Sequence, residues 1–169
     1  MSIPTDKTKT PTPALQQELL RLDNQLCFAL YAATRAITKT YREKLGAMGL
    51  TYPQFLVLMV LWETDGITIS EIGRRLMLDI GTLSPLLKRI ESMKLIIRAK
   101  GKEDEREVHI WLSQKGKDHQ DAALDARRYV ACRLDISEPE ITALRAELMD
   151  MVSQLSHKCA GTPAEAVEE

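Results

Sequence analysis

Apolar residues recur every three or four positions along most of the chain, which predicts a mainly α protein. The first apolar stripe begins at residue 14 and predicts one long helix that reaches about Tyr41. A later segment has Thr51 as its N-cap and Pro53 in its first turn, which predicts a further helix. The side chains that this helix is predicted to place in the core are Phe55, Leu58, Met59 and Trp62.

Between residues 67 and 116 the pattern changes to a short strand, two helices and a hairpin. Thr68 and Glu71 have capping-box spacing at the start of the first helix, and Asp79 is a favourable N-cap for the second. The predicted buried stripe of the second helix consists of Leu83, Leu86, Leu87 and Ile90. The last strand has alternating apolar residues, at Val108, Ile110 and Leu112. The order of these elements predicts a winged helix-turn-helix with a small β wing.

The opposite face of the second helix suits the major groove of DNA, because small and hydroxyl residues precede cations along it. The predicted major-groove residues are Thr82, Ser84, Pro85, Lys88 and Arg89. Arg74 and Arg75 are predicted to meet phosphates. On the hairpin tip, Lys102 and Arg106 supply cations, and Asp104 is placed to hold Arg106 for a narrow minor groove. For the tip alone, a solvated hairpin is the alternative.

The net charge of −1 conceals an uneven distribution. Residues 66–102 carry a net charge of +5, whereas residues 103–169 carry −7. The positive segment coincides with the predicted DNA-reading helices, so a nearly neutral chain can still bind phosphates locally. Apolar runs fall short of the roughly 20 residues that cross a bilayer, and the N-terminus lacks a signal-peptide core. We therefore expect a cytoplasmic protein without a membrane partner.

The candidate chemistry does not favour an enzyme. The histidines, His109, His119 and His157, are scattered along the chain, and we find no phosphate loop or nucleophile–base motif. The three cysteines lack zinc-site spacing, so we expect no metal or other cofactor, and in a reducing compartment they are thiols at rest.

The terminal helices carry apolar stripes longer than one small winged helix can cover, which predicts a two-fold dimer. Ser137 and Glu140 provide a second capping-box signature, for the last helix. The predicted organisation is a disordered arm at 1–13, dimerisation helices at 14–50 and 117–158, the DNA-binding region at 51–116 and a flexible tail at 159–169.

The GTLSPLLKRIE run at 81–91, the Asp104-Glu105-Arg106 tip and the following 112–116 segment, LSQKG, resemble the MarR family of bacterial transcriptional regulators. The resemblance extends from about Leu22 to His157, and Ser113 stands where the family usually has Thr. It implies a winged-helix homodimer that binds a pseudo-palindromic double-stranded operator.

Within that family, the LCFALY segment at 26–31 resembles the organic-hydroperoxide-sensing repressors of the OhrR type. The resemblance implies that Cys27 is the reactive cysteine, followed at matching separations by Tyr31, Tyr41 and Tyr52. In that group two such tyrosines of the partner subunit hydrogen-bond the sulfur, a role carried here to Tyr41 and Tyr52. The predicted inducer is an organic hydroperoxide. The residues proposed for an apolar wall beside the sulfur are Phe28, Leu30 and Trp62.

Attack of a thiolate on a peroxide gives a sulfenic acid, which a second thiol can trap as a disulfide. The two-cysteine subgroup implies that Cys132 of the partner subunit is this second thiol. Cys159 or a small cellular thiol remains an alternative. A different interpretation also stays open: Cys27 is an ordinary apolar residue, and a phenolic or other small ligand releases a MarR-type regulator from DNA.

Overall fold

The computed structural model describes residues 12–101 and 107–159. The helices and strands within these residues are α1 (Pro13–Leu19), α2 (Leu26–Leu45), α3 (Tyr52–Glu63), β1 (Ile67–Thr68), α4 (Ile69–Leu76), α5 (Ile80–Ser92), β2 (Ile96–Lys100), β3 (Val108–Leu112), α6 (Gln114–Asp118), α7 (Gln120–Leu134) and α8 (Glu138–Cys159). The predicted fold class is confirmed, since helices predominate and the strands form one small sheet. The chain divides between Arg127 and Arg128 into two compact units, and α7 crosses that boundary.

The predicted single helix from residue 14 to Tyr41 is wrong, because α1 ends at Leu19 and α2 begins only at Leu26. The side-chain amide of Asn24 donates to the carbonyl of Glu18 at 2.8 Å, and that of Gln25 donates to the carbonyl of Leu19 at 2.6 Å. These amides occupy carbonyls that a continuing helix would have used, so local side-chain bonds end α1. Pro13 already belongs to α1, whereas the rest of the predicted arm up to residue 11 lies outside the described residues.

Both predicted helix caps of the helix-turn-helix are present. The Thr68 hydroxyl accepts a hydrogen bond from the Glu71 N–H at 3.2 Å, and the Asp79 carboxylate accepts one from the Thr82 N–H at 2.8 Å. The interior side of α5 is fully buried at Leu83, Leu87 and Ile90, while the adjacent Leu86 is half-buried. Burying three large apolar side chains fixes α5 against the core and leaves its opposite face to solvent.

The wing is a three-stranded antiparallel sheet in the order β1–β3–β2. Ile96 pairs with Leu112 at one end of the hairpin and Lys100 pairs with Val108 at the other. Gly66, which precedes β1, has φ +72°, and a Cβ there would lie 2.3 Å from the Trp111 ring. Glycine is therefore required both by the backbone conformation and by the indole that covers it.

The α3 helix begins with a capping box between Thr51 and Gln54, as its sequence predicts in part. Phe55 and Leu58 are buried as expected, and Trp62 packs against the core while partly exposed. The prediction for Met59 is wrong, because this side chain lies on the surface of the described residues, with 36% of it exposed. Met59 instead lines a surface cavity, described below, and its apolar character alone does not distinguish these two positions.

After the wing, the Ser113 hydroxyl caps α6 by accepting the Gly116 N–H at 3.0 Å. The sequence predicts that Ser113 caps one long helix reaching about Arg133. This prediction is wrong in detail, since α6 ends at Asp118 and α7 begins at Gln120. In the second unit, Glu140 accepts hydrogen bonds from both the N–H and the hydroxyl of Ser137, at 3.0 and 2.6 Å, which lower the pKa of this carboxyl.

Within the described part of the chain, no single helix has the length and apolar composition to cross a bilayer. Residues 26–48 and α3 satisfy that criterion only when taken together, as a pair bent by 74°.

Candidate functional site

The outward face of α5 presents the side chains predicted to enter a major groove. Thr82, Pro85, Lys88 and Arg89 are exposed, and Ser84 is half-buried. Pro85 lies inside α5 without ending the helix. The sequence therefore brings small groups to the start of α5 and cations to its second half, on one surface. Their contacts with DNA stay a prediction.

The Thr82 side chain is held by the helix cap. Its hydroxyl donates to the Asp79 carboxylate at 2.9 Å, in addition to the backbone bond. These two hydrogen bonds from Thr82 hold the pKa of Asp79 below its ordinary value. The hydroxyl oxygen keeps its acceptor capacity, so a base-edge contact by Thr82 would be made as an acceptor.

The two arginines of α4 differ in their surroundings. Arg74 is exposed and pairs with Glu71 on its own helix at 2.6 Å, and this hydrogen bond lowers the pKa of Glu71. Arg75 is three-quarters buried, and its guanidinium forms an ion pair with Glu63 at the end of α3. A phosphate contact by Arg75 would therefore have to compete with a tertiary ion pair that Arg74 lacks.

The cations and carboxylate predicted on the wing tip, Lys102, Asp104 and Arg106, lie outside the described residues. At the ends of the two described strands of the hairpin, the Gly101 N–H donates to the Glu107 carbonyl at 2.9 Å. Arg98 of β2 lies with its Nε 2.9 Å from the carboxylate of Glu91 on α5. This ion pair, which spacing could not predict, ties the wing to the predicted reading helix.

The thiol predicted to react belongs to the second residue of α2. Cys27 is exposed and free, and Cys132 on α7 is also exposed and free. Tyr31, one turn after Cys27, is exposed and its hydroxyl accepts a hydrogen bond from Arg35 at 2.8 Å. Tyr31 is thus engaged on its own helix, unlike the other two predicted tyrosines.

The other two predicted tyrosines, Tyr41 and Tyr52, lie together although eleven positions separate them. Their ring centroids are 5.0 Å apart, and Phe55 lies 5.6 Å from Tyr41. Burial raises the pKa of both phenols, the neighbouring Tyr52 raises that of Tyr41 further, and Arg127 lowers it in part. A phenol is already protonated at neutral pH at its ordinary pKa, and the raised pKa keeps it so at higher pH, so both hydroxyls can donate hydrogen bonds.

A cavity of about 260 Å³ lies beside this aromatic cluster, between α3 and the first half of α7. The side chains that line it are Phe55, Met59, Trp62, Gln120, Asp121, Ala123, Leu124 and Arg127. Its wall is mostly apolar, with charged groups at Asp121 and Arg127. The sequence pattern did not indicate this cavity, because its two sides are about 60 residues apart in the chain.

Trp62 makes a polar contact that the sequence also did not indicate. Its indole Nε1–H donates to the carbonyl of Gly116 at 3.0 Å, across 54 positions. Helical spacing predicted only that Trp62 belongs to the core. Among the described residues, no group of three or more His, Cys, Asp or Glu side chains is arranged to hold a metal ion.

A family model described as "Transcriptional regulator SarA/Rot" matches residues 39–123, from α2 through the wing into α7. The chain therefore belongs to the winged-helix DNA-binding regulators of the SarA/Rot and MarR type. The resemblance to the MarR family predicted from the sequence is confirmed. This is a family of transcriptional regulators and not of enzymes.

Two curated relatives are similar over different lengths. The organic hydroperoxide resistance transcriptional regulator of Bacillus subtilis (strain 168) is 39% identical over 139 residues, which cover 82% of this chain and 95% of that protein. The HTH-type transcriptional regulator TtmR of Methylorubrum extorquens (strain PA1) is 55% identical over 96 residues, or 57% of this chain. The chain spans about half, 49%, of the length of TtmR.

Among solved structures, AbfR of Staphylococcus epidermidis is similar with a TM-score of 0.70 and 35% identity, covering 85% of this chain and 99% of AbfR. The solved structures of AbfR include the reduced protein bound to DNA and the protein with a disulfide formed. The assignment to a two-cysteine subgroup stays a prediction.

Proposed function

We propose that this chain is a transcriptional repressor that senses organic hydroperoxides through Cys27 and releases DNA when that thiol is oxidised. The observation that carries the proposal is the pairing of the half-buried Tyr41 and Tyr52, whose ring centroids lie 5.0 Å apart, because it brings two phenol donors together. Such donors stabilise a thiolate, the form of cysteine that attacks peroxides. Similarity to the hydroperoxide resistance regulator supports the choice of inducer.

Each chain supplies one α5 and therefore one surface for the major groove. The proposed DNA site has two half-sites, so two chains bind it as a dimer. Two copies of α5 read half-sites about one helical turn apart in a pseudo-palindrome. Thr82, Ser84, Pro85, Lys88 and Arg89 face the major groove. Arg106, held by Asp104, takes the minor groove, and Lys102 supplies a further cation on the same tip. Arg74 meets phosphates, and Arg75 does so only if it leaves Glu63.

The proposed chemistry transfers one oxygen atom to sulfur. The Cys27 thiolate attacks the terminal oxygen of the hydroperoxide, the S–O bond forms, the O–O bond breaks, and the alkoxide takes a proton to leave as an alcohol. Sulfur thereby loses two electrons to the peroxide. The thiolate of Cys132 of the partner subunit then attacks the sulfenic sulfur, and hydroxide leaves and is protonated to water.

The decisive experiment measures binding to the DNA upstream of the protein's own gene, with and without cumene hydroperoxide. Wild type, Cys27→Ser and, as matched control, Cys159→Ser are compared. We expect loss of binding in wild type and Cys159→Ser, and retained binding in Cys27→Ser. Release of Cys27→Ser to the same extent as wild type would reject Cys27 as the sensor.

Non-reducing gels test the resolving thiol separately. We expect a peroxide-induced, disulfide-linked dimer that disappears in Cys132→Ser and persists in Cys159→Ser. A dimer band that survives Cys132→Ser would assign the second thiol elsewhere, without affecting the role of Cys27.

A second candidate function is supported by the cavity beside Phe55 and Trp62. A volume of about 260 Å³ with an apolar wall and a cation at Arg127 suits a small aromatic acid or phenol. In this alternative, such a ligand releases the regulator and Cys27 is incidental. Release of Cys27→Ser from DNA by salicylate, but not by peroxide, would favour this alternative.

A further inference from the structure

A network of hydrogen bonds surrounds the segment that follows the predicted reading helix α5. The Ser113 hydroxyl donates to the carbonyl of Lys94 at 2.6 Å, and the Ser113 N–H donates to the carbonyl of Leu95 at 3.0 Å. Lys94 itself has φ +60°, so the chain turns sharply there between α5 and β2. We call Lys94, Leu95, Ser113 and Gly116 the α5 junction, since they connect the end of α5 to the start of α6.

Gly116 brings the two sides of this junction into close contact. Its N–H donates to the Ser113 hydroxyl at 3.0 Å, and a Cβ on Gly116 would lie only 2.1 Å from the carbonyl oxygen of Leu95. The carbonyl of Gly116 accepts a hydrogen bond from the indole N–H of Trp62 at 3.0 Å. A displacement of Trp62 therefore acts directly on a residue that has no free space on its other side.

On its far side, Trp62 belongs to the aromatic cluster that contains the two tyrosines. The Trp62 and Phe55 ring centroids are 6.2 Å apart, with the rings edge to face. Phe55 in turn lies 5.6 Å from Tyr41 and 6.2 Å from Tyr52. Ring contacts and one hydrogen bond thus connect the tyrosine pair to the α5 junction. Densely packed side chains of this kind do not deform gradually, so a shift at one end is transmitted.

We propose that Trp62 is the positioning residue that couples the oxidation state of Cys27 to the orientation of α5. This inference rests on the proposed function. In the reduced dimer, the hydroxyls of Tyr41 and Tyr52 bind the thiolate of the partner subunit's Cys27, and this contact fixes the aromatic cluster. Within the same subunit as the tyrosines, the Trp62 indole holds Gly116. Oxidation removes the thiolate acceptor, the tyrosines shift, and the Trp62–Gly116 hydrogen bond is lost. The α5 junction is then free to change the angle of the reading helix.

The proposal assigns the coupling to one directional bond. Ring contacts tolerate a range of orientations, whereas an N–H···O bond weakens steeply when its angle changes. Replacing the indole by a phenyl ring keeps an aromatic side chain at position 62 and removes the donor. The chain has only two tryptophans, so Trp111, which covers Gly66 on the wing, offers a matched control for the same substitution.

The test compares Trp62→Phe with Trp111→Phe in the full-length protein. Affinity for the upstream DNA is measured by fluorescence anisotropy before and after cumene hydroperoxide, and sulfenic acid at Cys27 is quantified by mass spectrometry after trapping. Because Trp62 also belongs to the proposed apolar wall beside the sulfur, the three proteins are compared at equal fractions of Cys27 sulfenic acid, whatever the rate at which each reaches it. We expect the oxidised-to-reduced ratio of dissociation constants to fall about fivefold in Trp62→Phe, the effect of one neutral hydrogen bond. In Trp111→Phe the ratio should remain that of wild type.

A spectroscopic measurement keeps the proposal testable if Trp62→Phe does not fold. In Trp111→Phe, Trp62 is the sole tryptophan, so emission reports on its indole alone. We expect peroxide to shift this emission, and the shift to be absent when Cys27→Ser is added. Emission unchanged by peroxide would overturn the role of Trp62.

The remaining outcomes separate this inference from the proposed function. If oxidised wild type keeps its DNA, both fail together. If wild type releases DNA and Trp62→Phe releases it to the same extent, only the coupling through Trp62 is rejected. If Trp62→Phe changes only the rate at which the sulfenic acid forms, and its oxidised-to-reduced ratio at equal oxidation is that of wild type, Trp62 acts on the peroxide step and the coupling is rejected.

Discussion

Helices α5 and α2 are both amphipathic, but their apolar faces are covered to very different extents within one chain. Over its 13 residues, α5 buries Leu83, Leu87 and Ile90 completely. Over its 20 residues, α2 buries only Leu45 at its C-terminal end. Leu26 is 60% exposed near its start, where Cys27 also lies. The apolar face of α5 is thus covered by its own chain, whereas that of α2 stays exposed until a second copy covers it.

The largest difference that this comparison predicts concerns stability. Leu87→Ala should lower the free energy of unfolding by about 2–5 kcal/mol at every protein concentration, because it opens a cavity in the chain's own core. Leu26→Ala should instead lower the unfolding midpoint chiefly at low protein concentration, because it weakens association. Urea unfolding at two concentrations, a hundredfold apart, measures both. A concentration-independent loss in Leu26→Ala would contradict the contrast.

The next effect concerns Gly116 in the junction after α5. Gly116→Ala should cost about 1–3 kcal/mol, because its Cβ meets the Leu95 carbonyl oxygen. The matched control is Gly46→Ala after α2, where φ is −58° and a Cβ would meet nothing within 4 Å. That substitution should stabilise by about 0.4–1 kcal/mol. Equal midpoints for the two variants in thermal unfolding would show that the junction can yield.

A smaller effect is expected on the salt dependence of DNA binding. Lys88→Ala and Arg89→Ala remove exposed cations from α5 and should each reduce the salt slope by about one if they meet phosphates. Arg75→Ala should change the slope less, because its guanidinium is already paired with Glu63. DNA-binding titrations between low and moderate salt measure the three slopes. A larger decrease for Arg75→Ala than for the other two variants would show that Arg75 leaves Glu63 when DNA binds.

The smallest effect is expected at alkaline pH. A phenol whose folded pKa is raised contributes stability that is complete below its unfolded value of 10.0 and is lost as pH rises through the folded value. The double variant Tyr41→Phe and Tyr52→Phe should therefore lose less stability than wild type as the pH rises above about 10. Urea midpoints measured across that range provide the comparison, and parallel curves would show that the phenols titrate as in the unfolded chain.

The sequence predicted those parts of the fold that depend on neighbouring residues. Caps such as Thr68 and Asp79 act within three positions, and the α5 stripe repeats with the helix period, so both could be inferred correctly. The break between α1 and α2 was missed because apolar spacing continues through it. The amides of Asn24 and Gln25, which end α1, carry no periodic signal.

Contacts between distant segments could not be predicted in the same way. Arg75 meets Glu63 and Trp62 meets Gly116 only after the helices have packed, and spacing along the chain contains neither pair. The closeness of Tyr41 and Tyr52 was anticipated through family resemblance and not through periodicity. Resemblance therefore singled out the two tyrosines, and the structure shows that their rings lie together.

The exposed face of α2 has a consequence for the life of the protein in the cell. A newly synthesised chain presents Leu26 and Phe28 of α2 to solvent until it meets another copy. We expect dilution, more than heat, to dissociate the dimer and so to expose the chain to proteolysis and aggregation. Unpaired chains would then be removed fastest when the protein is scarcest.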